Sequence, residues 1–165
     1  MKTFSVLLLG WLFAWGNLSA EVVVIFQNPD EYRDIDYYYA GGKKGQRIYL
    51  PQLKEHIEKY GARHLREGLV LTLTFTDIDL AGEHEPWRGS LTHDIRIVRS
   101  IYPPRMTFSY ELADADGNVL KTGEERLVDL AFDYRMRTNF HDNLYYDKAM
   151  IGRWLRKFAR EEGEN

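Results

Sequence analysis

Hydrophobic and polar positions along the chain change period several times, and each change predicts the edge of an element. Residues 69 to 75, LVLTLTF, alternate. Leu69, Leu71, Leu73 and Phe75 fall on one side and Thr72, Thr74 and Thr76 on the other, the mark of a strand with one packed and one solvated face. The same period runs through RMTFSYELADADGNVLKTGEERL, where two alternating runs flank Asp116-Gly117. That residue pair tolerates the positive φ of a tight turn, so a β-hairpin is predicted. The β-branched run EVVVIF, residues 21 to 26, is continuously apolar and bounded by Pro29-Asp30, which predicts a strand in the middle of a sheet. HDIRIVRSIYPPR offers a short strand around Ile95 and Ile97, stopped by Pro103-Pro104.

Helical spacing appears twice. Leu53, Ile57, Tyr60 and His64/Leu65 form one stripe, with Pro51 suited to the first turn and Gly68 to the stop. Ile151, Trp154, Leu155 and Phe158 form a second stripe, with Lys148, Arg153, Arg156, Lys157 and Arg160 on the remaining surface. Residues 30 to 47 show no period and carry three glycines, which reads as a surface loop. The order strand, helix, strands, helix predicts an α+β two-layer sandwich, with two amphipathic helices on a mostly antiparallel sheet of four to five strands. The first two strands would be parallel, joined by the first helix as a crossover.

Composition changes this picture at the N-terminus. Residues 1–20 have one charge, Lys2, an apolar run from Phe4 to Trp15 and a polar stretch ending at Ala20, which predicts a cleavable signal peptide. Residues 21–165 are then one exported domain with no further membrane-spanning run. The absence of Cys excludes disulfides, thiolate metal sites and a lipidated N-terminus, so a soluble exported protein that is not a lipoprotein is expected. Of 22 basic and 25 acidic residues, Lys2 alone lies in the leader, leaving 21 against 25. That acidic balance argues against nucleic acid as a partner.

Candidate chemistry concentrates in TDIDLAGEHEPW, residues 76 to 87, where Asp77, Asp79, Glu83 and Glu85 precede Trp87 and Arg88. Continuing the strand phase past Phe75 would bury Asp77 and Asp79, at a cost too high for unpaired carboxylates. Three arrangements avoid this: a bulge near Thr76, a strand that runs past its helix layer, or pairing with Arg96, Arg99 or Arg105. A calcium loop starting at Asp77 fails at Ala81 and Arg88, and one starting at Asp114 fails at Val119. No G-x-S-x-G, H-E-x-x-H or phosphate-binding loop occurs, and His56, His64, His84, His93 and His141 are scattered. No cofactor is expected.

DIDLAGEHEPW, DIRIVRSIYPPR, GEERLVDLAF and YYDKAMIGRWLRKF together resemble a family of small exported bacterial proteins catalogued as domain of unknown function 3016. The resemblance runs from Val22 to Phe158; it implies a Gram-negative envelope protein in the periplasm and carries no activity with it. The expected function is a non-catalytic binding or interaction module, contacting an envelope protein or small ligand through Asp77, Asp79, Glu83, Glu85, Trp87 and Arg88. One alternative is a metal-assisted hydrolase using the four carboxylates with His84 or His93. Another is a carbohydrate-binding module stacking sugars on Tyr37, Tyr38, Tyr39 and Trp87.

Overall fold

A computed structural model of the chain describes residues 19–36, 44–85 and 96–163. The expectations for residues 1–18, Tyr37 to Tyr39, Trp87, Arg88, His93 and Ile95 lie outside the described residues. Strand β1 (Glu21–Phe26) leads through a 3-10 turn at Pro29–Glu31 to helix α1 (Lys44–Ala62) and strand β2 (Leu69–Asp79). Short strands β3 (Glu83–His84) and β4 (Arg96–Ile97) come next, then the hairpin β5 (Arg105–Asp114) and β6 (Val119–Val128), and helix α2 (Tyr145–Gly163) closes the chain. The main sheet has the order β1-β2-β5-β6, parallel between β1 and β2 and antiparallel elsewhere. Strands β3 and β4 form a separate two-stranded ribbon. The fold is therefore α+β, with four main strands and two helices in the expected order.

Both helices cover the same sheet face. Val22 and Val24 of β1, Leu71 and Leu73 of β2, and Met106 and Phe108 of β5 share one buried cluster with Leu53 and Ile57 of α1 and Ile151 and Leu155 of α2. Phe75 and Phe108 lie on neighbouring strands with ring centroids 5.0 Å apart, and Trp154 meets Phe108 edge-on at 4.9 Å. Burying each such side chain is worth about 1.5–3 kcal/mol. The hairpin turn forms as expected: Gly117 takes φ 84°, and the Asp114 carboxylate accepts from the backbone N–H of Asp116 and of Asn118. Asp114 is thus occupied by its own turn, the hairpin chemistry expected of this stretch.

Three expectations need correction. Among the described residues strand β1 lies at the edge of the sheet and not in its middle, paired there with β2 alone. Its apolar run divides between Val22 and Val24, buried under α1, and Ile25, exposed on the opposite face. Its free edge is held by α1: Lys54 Nζ donates to the Val24 carbonyl at 3.2 Å, and Glu58 accepts from the Val24 N–H at 3.4 Å. Second, α1 begins seven residues before Pro51, which sits inside the helix. Tyr49 and Leu50 bury there, and Gln46 in its first turn reaches Asp36 and the Pro29 carbonyl. Third, the supposed surface loop contributes Tyr32 and Ile35 to the core, with the Tyr32 hydroxyl donating to the Phe75 carbonyl at 2.9 Å.

The phase problem of β2 is solved by a bulge. Phe75 pairs with Phe108 and Asp77 with Thr107, so Thr76 is the extra residue. Beyond it the buried position falls on Ile78, and Asp77 is turned away from the core.

Candidate functional site

At the bulged end of β2 the chain assembles acids and arginines from four separate segments. The backbone after β1 returns alongside β2, with an isolated parallel bridge between Asp34 and Asp79. This puts Arg33 and Asp34 beside the predicted acids. Arg33 grips Asp77 twice, by its backbone N–H at 2.9 Å and its guanidinium at 3.5 Å. Asp79 is buried and accepts from Arg105 at 2.6 Å, its partner directly across the β2–β5 ladder. Burial raises the Asp79 pKa, and the bond from Arg105 holds that rise down.

Deeper in, Arg96 places one guanidinium nitrogen 2.6 Å from Asp34, 2.7 Å from the Gly82 carbonyl and 3.3 Å from the Leu80 carbonyl. Glu85 is 1 % exposed; its Oε1 accepts from the Tyr102 hydroxyl at 3.1 Å and lies 3.3 Å from Arg99. Glu83 accepts from the His84 N–H, and its pKa is raised by burial and by nearby Asp34. Beneath them Asp147, in the first turn of α2, is fully buried. Its Oδ1 accepts from the Ala81 N–H at 3.0 Å, tying the turn after β2 to α2, and burial pushes its pKa up to about 7.

Asp77, Asp79 and Glu83 therefore share one end of the fold, while Glu85 points into a separate pair with Arg99 and Tyr102. Of the three arginines proposed from sequence, Arg99 and Arg105 hold predicted acids, and Arg96 holds Asp34. Arg33, Asp34, Tyr102 and Asp147 went unrecognised; their sole sequence signal was the presence of charge or hydroxyl in segments without period. Among the described residues no three His, Asp or Glu side chains are grouped to hold a metal ion. The hydrolase alternative thus lacks a ligand set there, since each carboxylate is turned toward its own partner.

A second concavity lies where α2 crosses β5 and β6, a cleft of about 410 Å³. Tyr110, Trp154 and Phe158 provide aromatic surface, with Trp154 and Phe158 stacked at 5.0 Å. Lys121, Arg135, Arg153 and Lys157 stand around it. Buried Asp129 binds two of them, Arg135 at 3.3 Å and Arg153 more closely. No period within one segment predicts this cleft, because its walls come from residues 110–135 and 150–161.

Among the described residues no helix is long and apolar enough to cross a membrane. The family described as "Protein of unknown function (DUF3016)" matches residues 20–157. Comparison with curated proteins finds no match.

Proposed function

The chain belongs to the DUF3016 family of proteins of unknown function, and from that premise we propose that it is a non-catalytic binding module, exported to the cell envelope. The observation that carries this reading is the engagement of the acids at the end of β2. Arg33 holds Asp77, Arg105 holds Asp79, Arg99 holds Glu85, and Asp147 lies beneath them on a backbone N–H. Carboxylates held by guanidiniums, as Asp77, Asp79 and Glu85 are, brace a surface. The surface they brace presents the part-exposed guanidiniums of Arg33 and Arg105 beside Asp77, with Arg99 in its separate pair at Glu85. Such a mosaic suits an envelope protein bearing carboxylates, and Trp87 and Arg88 extend the candidate contact along the chain.

Photo-crosslinking in cells tests the reading, with the reactive group at position 33 or 77 and a control at Thr122 on the open sheet face. A discrete adduct from 33 and 77 but not from 122 is expected; equal labelling from all three positions rejects the contact. Purified variants separate brace from surface. Asp79→Asn is expected to lower the urea midpoint through loss of a part-buried charged pair, whereas Asp77→Asn is expected to cost under about 1 kcal/mol, as exposed pairs do.

The cleft favours a second reading, a small ligand with a flat apolar face and polar substituents, such as a sugar, laid against Trp154. In a Trp87→Phe variant Trp154 is the single tryptophan from residue 21 onward. A saturable change in its fluorescence with one member of a mono- and disaccharide panel is expected; a flat response across the panel counts against the reading.

A further inference from the structure

The connector between β6 and α2 displays large apolar side chains in an unusual concentration. Leu130 is 72 % exposed, Tyr134 87 %, Met136 85 % and Phe140 75 %, all within eleven residues of chain. Single exposed apolar residues are ordinary, but four so close together call for a reason.

The backbone that carries them is well anchored. Phe132 is fully buried and meets Tyr146 edge-on at 4.9 Å. Arg137 folds the following turn by donating to the carbonyls of Asn139, Phe140 and Asp142 at 3.0, 3.0 and 2.7 Å, and the Tyr145 hydroxyl donates to the Met136 carbonyl at 3.0 Å. The exposed side chains are thus held out by a braced turn.

Charge identifies what they meet. Residues 128–163, to the end of α2, contain seven basic residues and six acidic ones, while residues 21–127 carry an acidic excess. Five of those six acids are already occupied: Asp129 by Arg135 and Arg153, Asp142 by Lys148, Asp147 by the Ala81 N–H, Glu161 by Lys157 and Glu162 by Lys121. Arg156, Lys157 and Arg160 are exposed on α2, which follows directly. Leu, Met and Phe interleaved with Tyr and Arg is the composition that seats in a lipid interface, apolar ends among the acyl chains and guanidiniums at the phosphates.

We propose that the 129–144 connector, with the basic surface of α2, docks the protein peripherally on anionic phospholipid. The contact is independent of the acid–arginine end of the sheet. Each basic residue near such a surface adds attraction that salt screens, and the apolar side chains add a part that salt leaves intact.

Co-sedimentation with vesicles tests the proposal, using the chain from Ser19 onward, which retains every described element and lacks the apolar leader. Binding to phosphatidylcholine vesicles containing phosphatidylglycerol is expected, with little to pure phosphatidylcholine and a marked loss in high salt. Tyr134→Ser/Met136→Ser/Phe140→Ser and, separately, Arg156→Glu/Arg160→Glu are each expected to weaken partitioning about tenfold or more. Unchanged melting of both variants verifies that the fold is intact. Equal binding to neutral and anionic vesicles, or undiminished binding by either variant, overturns the proposal. So does a dimer that the serine variant abolishes in the absence of vesicle binding, which would assign the connector to a second copy of the chain.

Discussion

Replacement of Arg96 by Met is expected to lower the unfolding free energy by about 3–5 kcal/mol, the cost of removing one partner from a buried ion pair. Arg96 and Asp34 are both largely withdrawn from solvent, with side chains 9 % and 13 % exposed. The Met variant fills the volume but leaves Asp34 without its counter-ion, and the Leu80 and Gly82 carbonyls lose a donor at the same time. Three segments meet on that nitrogen: the return after β1, the turn after β2, and β4. The loss is therefore expected to appear as early melting of the whole sheet end and not as local fraying. Urea unfolding with a double-mutant cycle reads it directly. Arg96→Met/Asp34→Leu is expected to recover much of the loss, because an apolar pair needs no counter-charge. A single-variant cost within about 0.5 kcal/mol, the size of an ordinary surface change, would show that the pair holds nothing together.

The second large effect depends on pH and is centred on Asp147. Its folded pKa, about 7, lies above the ordinary value of 3.8 that it has in the unfolded chain. Below pH 3.8 both states hold the proton and the residue costs nothing. Between pH 3.8 and 7 the unfolded chain releases the proton while the folded protein keeps it, so stability falls as pH rises through that window and levels off above it. Three pKa units correspond to about 4 kcal/mol. The Coulomb attraction of Arg96 already limits the rise, and Asp142 adds to it. Asp147→Asn keeps an oxygen for the Ala81 N–H and carries no charge. Its stability relative to the parent is therefore expected to improve steadily from pH 4 to 7, with the greatest advantage above 7. Subtracting the two urea-derived profiles cancels the other titrating groups; a flat difference would refute burial of an ionisable Asp147.

The pattern of residues made some of this legible and hid the rest for physical reasons. Alternation from Leu69 to Phe75 located β2, and the conflict it created at Asp77 left a bulge near Thr76 as one of three arrangements, the one the pairing register shows. Parity carried that information because a one-residue slip exchanges the two faces of a strand. Apolar continuity in EVVVIF could not distinguish an edge from a centre, since a helix covering one face and a partly shielded opposite face leave the same composition. The first turns of α1 were obscured because Pro51 resembles a helix start, although the apolar positions Leu50, Leu53 and Ile57 already keep helical spacing across it. At the candidate site, Arg99 and Arg105 were recoverable as nearby charges of the right sign. Arg33 and Asp34 were not, because their relation to Asp77 and Asp79 is created only when the chain after β1 returns along β2.

The hold that Lys54 and Glu58 keep on Val24 has a consequence for self-association. An unguarded sheet edge is a template onto which another chain can add a strand. With Val24 of β1 engaged by its own helix, the other edge of the main sheet among the described residues is β6, whose ten residues include Lys121, Glu124, Glu125 and Arg126. Two molecules meeting through β6 exhaust each other's edge on that side of the main sheet. An encounter through β6 therefore closes as a twofold pair and leaves the main sheet no further strand to add on that side.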